Sequence, residues 1–159
     1  MKTIILASDH AGFALKESVK TFLHKEYKDK YTVTDVGAHS FVDGDDYPLY
    51  MADAGLRVAQ DQSSNTKAII FGKSGQGEAM VANRYPGVRA IVYYGSNDKD
   101  KSKEILKLSR EHNDANVLSI GAGFVNDVEA IEAVKIWFGT EFSGEERHLR
   151  RIEEIDNIE

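Results

Sequence analysis

Five short apolar runs punctuate the chain, and each is followed by a stretch whose hydrophobic residues recur at helical spacing. Thr3 to Ala7, Tyr31 to Val36, Lys67 to Phe71, Val88 to Tyr94 and Asn116 to Ile120 have the apolar or β-branched character of strands. Leu15, Val19, Phe22 and Leu23 fall at i, i+4, i+7 and i+8, an amphipathic helix. Met51, Ala54 and Val58 face one way behind Pro48, which suits a first helical turn. A third helix starts near Gly77. A fourth, heavily charged, spaces Ile105, Leu108 and His112 at i, i+3 and i+7, and Ile131, Val134 and Phe138 mark a fifth. A last helix from about Glu145 sets Ile152, Ile155 and Ile158 three apart. Gly37 to Tyr47 is a polar loop, Asp61 to Asn65 a surface turn and Pro86-Gly87 a break. Repeats, linkers and low-complexity segments are absent. Strand and helix therefore alternate in one domain, residues 1–159, and predict a five-stranded parallel sheet covered by helices on both faces.

In such sheets ligands sit at the carboxyl ends of the strands. That rule gathers Asp9-His10, Gly72 to Gly77 and Gly121 to Gly123 on one rim. The stretch Phe71-Gly72-Lys73-Ser74-Gly75-Gln76-Gly77 stops a buried strand at small residues and opens a helix. Its bare backbone N–H groups form a seat for an anion such as phosphate. It is neither familiar nucleotide motif. A P-loop needs glycine where Lys67 stands, and the dinucleotide fingerprint needs glycine where Met80 stands.

Charge narrows the ligand. A formal net charge of −6 argues against nucleic acid or an anionic membrane surface, so any anion site must concentrate positive charge locally. The chain has no cysteine, which removes disulfides, thiolate metal sites and a cysteine nucleophile. The opening Met1 to Ala7 is too short for a signal h-region and no run reaches membrane-spanning length, so a cytoplasmic location is expected.

Three constellations carry chemistry. Asp9-His10 at a strand end either binds a hydroxyl and moves protons near neutral pH, or reduces to a capping aspartate beside a solvated histidine. His112, on the stripe of Ile105 and Leu108, is either a histidine favoured by the helix C-terminus or a group acting with Asn113 and Asp114. Arg147 and Arg151 share a helix face beside His148, as a fork for phosphate oxygens or as partners for Glu146, Glu153 and Glu154.

Read together, these residues resemble the ribose-5-phosphate isomerase B and galactose-6-phosphate isomerase family over nearly the whole chain. The matching stretches are Ser8-Asp9-His10-Ala11-Gly12-Phe13, Asp46-Tyr47-Pro48, Gly75-x-Gly77 with Ala82-Asn83-Arg84, Gly87-Val88-Arg89-Ala90, Ser109 to Val117, and Arg147-His148 with Arg151. The resemblance implies a Rossmann-like three-layer α/β/α sandwich, and a homodimer or tetramer whose active sites draw on two subunits. It implies interconversion of an aldose and a ketose phosphate, ribose 5-phosphate and ribulose 5-phosphate foremost, through an enediolate, with no metal or cofactor. By the same resemblance His112 assists ring opening, and Asp9 and Ser74 join it as catalytic residues. Asp9, His10, Tyr47 and Asn113 contact the sugar, and Lys73, Ser74, Gly75, Gln76 and Gly77 cradle its oxygens. Arg147, His148 and Arg151 hold the phosphate.

Two positions depart from the family pattern. Members acting on ribose 5-phosphate usually carry a cysteine base where this chain has Gly72, and an arginine after the fifth strand, where it reads Gly121-Ala122-Gly123. Glycine cannot take a proton, so the base is expected at Asp9, Lys73 or Glu78, with Asp9 best placed because the first strand lies centrally in such sheets. Lys73 alternatively replaces the missing arginine charge. A sugar-phosphate-binding paralogue that lacks the base, or needs an active partner, is the other reading of the same departures.

Overall fold

The computed structural model describes residues 2–158, so Met1 and Glu159 lie outside the described residues. The elements are β1 (Lys2–Ser8), α1 (Phe13–Glu26), β2 (Tyr31–Asp35), α2 (Tyr47–Gln60), β3 (Thr66–Gly72), α3 (Gln76–Ala82), β4 (Ala90–Tyr93), α4 (Lys99–Glu111), β5 (Val117–Gly121), α5 (Asp127–Gly139) and α6 (Glu146–Asp156). The strands form one sheet in the order β2-β1-β3-β5-β4, every neighbour parallel. Alternate strand residues feed two cores. Ile4, Leu6, Ile69, Phe71, Leu118 and Ile120 pack with α1, α4 and α5 around Trp137. Ile5, Ala7, Ala68, Ile70 and Val117 pack with Met51, Ala54 and Val58 of α2 and Ala82 of α3. Burying each large aliphatic side chain stabilises the fold by roughly 1.5–3 kcal/mol, so both layers hold to the sheet independently. This is the three-layer α/β/α sandwich expected from the alternation.

As expected, β1 lies inside the sheet, between β2 and β3, and β3 is its middle strand. Two details differ from the sequence-based expectation. β4 begins at Ala90 because Val88 is held in the preceding turn, its N–H donating to Tyr85 O at 3.1 Å. The apolar stripe assigned to α4 faces outward. Ile105 and Leu108 are 54% and 36% exposed, while Ser102, Leu106, Ser109 and Arg110 are buried. Arg110 tolerates burial because its guanidinium donates to Asp114 Oδ1 at 2.6 Å, Ala115 O at 2.7 Å and Thr140 O at 3.3 Å, with its carbon 5.4 Å from the Trp137 ring centroid. α6 is docked lightly: His148 is its one buried residue, and Ile155 and Ile158 are exposed.

The order runs outward to β2 on one side of β1 and to β5 and β4 on the other side of β3. The switch point therefore lies between β1 and β3, where a crevice opens at the carboxyl ends of both strands.

Candidate active site

The registers bring the first three groups to one level. Ser8 pairs with Phe71 and Gly72 with Gly121, so Asp9, Gly72 and Gly121 leave the sheet side by side. Asp9 is buried, and its Oδ1 accepts from Gly12 N at 3.0 Å, which fixes the carboxylate against the start of α1. His10 is clamped by Asp45 from the loop before α2. Asp45 Oδ1 accepts from the His10 backbone N–H at 2.7 Å and pairs with His10 Nδ1 at 2.8 Å. That hydrogen bond holds the His10 pKa above its ordinary value and leaves Nε2 as the free nitrogen. Burial alone would push Asp45 up, but the two bonds from His10 override it and the carboxyl titrates below its usual range. Asp9, His10 and Asp45 place ligand atoms within 4.8 Å of one another.

The glycine loop stands beside them. Gly75 adopts φ +77°, a left-handed conformation that favours glycine, and a Cβ there would come 3.1 Å from Ser119 Oγ. Ser119 Oγ donates to Gly75 O at 2.7 Å, while Ala122 N and Gly123 N donate to Gly72 O and Lys73 O at 2.8 and 2.9 Å. The two rim loops are thus stitched together behind the cradle. Ser74 Oγ accepts from Gln76 N at 3.3 Å. The Tyr47 hydroxyl crosses to the loop, where a Cβ on Gly77 would meet it at 2.5 Å. Lys73 is exposed and lies over Gly123, its Cγ 3.2 Å from where a Cβ would stand. An arginine at 123 would compete with it for that space.

The other departure, glycine at 72, has its own structural counterpart. A Cβ built there would sit 1.7 Å from Oε1 of Glu78, whose carboxylate fills the hollow the glycine leaves. Glu78 is buried, and Oε2 has no hydrogen-bond partner. Burial raises its pKa, amides of Glu78 and Gly75 pull partly the other way, and Asp9 raises it further. A buried carboxylate with a free oxygen, beside a second acid and an amide cradle, is built to take and return a proton. Sequence reasoning ranked Asp9 ahead of Glu78, and missed Asp45 altogether. Glu78 follows Gly72 by six residues, but only the fold turns the first turn of α3 back over the end of β3.

The remaining expected site residues lie at the other end of the sheet. His112 caps the C-terminus of α4, before β5 begins, and Asn113 O accepts from Arg89 Nε at 2.8 Å where β4 begins. The length of β5, roughly 16 Å at 3.3 Å per residue, separates that end from the rim of Asp9 and Gly75. α6 joins His112 there. The His148 and His112 rings stack with centroids 4.2 Å apart and planes 12° from parallel. Arg147 Nε contacts Glu145 at 2.8 Å, and Arg151 is exposed. Within one chain the expected site is therefore split. Asp9, His10, Tyr47 and Lys73 to Gly77 share the carboxyl rim, while His112, Asn113, Arg147, His148 and Arg151 share the amino end.

Comparison with known proteins adds to this geometry. A family model described as Ribose/Galactose Isomerase matches residues 4–155. Ribose-5-phosphate isomerase B of Mycolicibacterium paratuberculosis is 35% identical over 156 residues, 98% of this chain and 91% of that protein. The Escherichia coli K12 ribose-5-phosphate isomerase B is 33% identical over 159 residues, 100% of this chain and 97% of its own. Among solved structures, ribose-5-phosphate isomerase B from Mycoplasma genitalium with bound ribulose-5-phosphate superposes with a TM-score of 0.85 at 32% identity, covering 97% of this chain and 93% of that one. The Trypanosoma brucei type B ribose 5-phosphate isomerase gives a TM-score of 0.87 at 28% identity, covering 100% and 99%.

Proposed function

Because the chain belongs to the ribose/galactose isomerase family, we propose that it interconverts ribose 5-phosphate and ribulose 5-phosphate through an enediolate. The observation that carries this reading is the buried Glu78 carboxylate in the hollow over Gly72, level with Asp9 and the glycine loop. Glu78 takes the proton from C2 of the open-chain aldose and delivers it to C1. The amides of Ser74 to Gly77 and the Ser74 hydroxyl stabilise the charge that develops on the oxygens. Asp9, His10 and Tyr47 bind hydroxyls, and Lys73 supplies the rim with a cation. No step calls on a metal or cofactor.

A complete site needs the other end of a second copy. In a two-fold homodimer the exposed faces of α4 and α6 cover each other, and His112, Asn113, Arg147 and Arg151 of the partner subunit meet the rim of the first. His112 then opens the furanose ring and the arginines hold the phosphate. The whole reaction is that of a metabolic enzyme in the cytoplasm. Among the described residues no helix is long and apolar enough to cross a membrane.

The experiment is turnover of ribose 5-phosphate by the purified chain and by Glu78→Gln. Wild type should form ribulose 5-phosphate, and the variant should lose roughly 10²–10⁴-fold in kcat, the range for removing a general base. Sugar phosphates that raise the Tm without being converted by wild type would point instead to a binding paralogue.

A further inference from the structure

A histidine that handles protons needs its ring plane fixed, usually by a hydrogen bond to the nitrogen that does no chemistry. Among the described residues, the His112 ring has no such hydrogen bond: its backbone N–H donates to Leu108 O at 3.0 Å, and its imidazole stacks on the ring of His148. His148 is itself immobilised. It is 3% exposed, its Nε2 is buried without a partner, and its backbone N–H donates to Glu145 O at 2.8 Å. Burial first, then His112 and the charge of Arg147, hold its pKa below the ordinary value, with Arg151 adding to and Glu145 opposing the effect. Its ring lies nearly parallel to that of His112.

We propose that His148 is a positioning residue for His112, setting the plane of that imidazole and tying it to the helix that carries Arg147 and Arg151. This rests on the isomerase reading above and deepens it. His148 is the one buried residue of α6, so a phosphate gripped by the flanking arginines braces the same helix that orients the ring-opening group. Phosphate recognition and catalyst alignment are then one mechanical unit, and a substrate without phosphate leaves the histidine loosely set.

The test compares His148→Phe, His148→Leu and His148→Ala in the full-length protein with ribose 5-phosphate. Phenylalanine keeps a flat ring, whereas leucine keeps only bulk. We expect kcat to fall roughly 10- to 100-fold in the Leu and Ala variants with KM within about threefold, and the Phe variant to recover most of the loss. Equal activity of Leu and Phe variants, or a loss confined to KM, overturns the proposal in favour of a packing role or of displaced arginines. A fold-independent arm is the NMR position of the His112 ring protons in wild type. They should carry an upfield ring-current shift that disappears in any folded non-aromatic variant, and its absence from wild type overturns the stack. Should wild type convert no sugar phosphate, the isomerase reading falls while the ring-current shift still decides the stack.

Discussion

At the scale of single residues, the proposed base depends on two positions acting together. Emptying position 72 creates the hollow, and Glu78 occupies it. Gly72→Ala should therefore lower activity about as far as Glu78→Gln, because the added methyl would stand where Oε1 now lies. In a Glu78→Ala background, Gly72→Cys should recover part of the lost kcat, measured as ribose 5-phosphate turnover; no recovery would mean that the hollow is not where the proton moves. The carboxylate also has a stability signature. Its folded pKa is raised, so its contribution is complete below the unfolded value, about 4.3, and is lost as pH rises through the folded one. Glu78→Gln, neutral at every pH, should match wild type in Tm near pH 4 and exceed it at pH 7. Over the same interval wild-type kcat/KM should rise as the base loses its proton. Glu78 was visible in the sequence only as one acid near a glycine loop, because the space made by a missing side chain exists only once the chain has folded.

At the scale of elements, the strands and their glycine-rich ends were legible, since buried parallel strands need no partner outside the chain to show their pattern. α4 and α6 were not. The spacing of Ile105 and Leu108 marks a face that stays exposed here, while the buried face of α4 is Ser102, Leu106, Ser109 and a satisfied Arg110. On α6 the apolar Leu149 and Ile155 are 52% and 47% exposed. These exposed apolar faces are the ones that the proposed dimer would cover. Ile105→Asp or Leu149→Asp should convert the protein to a monomer by light scattering, keep its far-UV CD, and abolish most of its isomerase activity. A variant that stays dimeric would place the interface elsewhere.

At the scale of the whole molecule, each chain carries the expected site residues as two groups at opposite ends of its sheet, which the proposed dimer would unite. Rim and amino-end residues were both readable as motifs, but their separation was not, because adjacency in a list of motifs says nothing about which end of a strand each occupies. The arrangement predicts complementation. Glu78→Gln and His112→Ala homodimers should each be nearly inactive, yet mixing them through reversible dissociation should restore about a quarter of wild-type activity, since half the dimers become hybrids and each hybrid holds one intact site. Failure of the mixed sample to exceed its parents would place both residues in the same chain's site.

The hollow over Gly72 also constrains how this sequence could have diverged. A larger residue at 72 collides with an acid at 78, and losing that acid first empties the centre, so neither substitution is neutral alone. Lineages should change the two positions together, and an alignment of many relatives should show a small residue at 72 wherever 78 is acidic, as a covarying pair rather than two independently fixed columns.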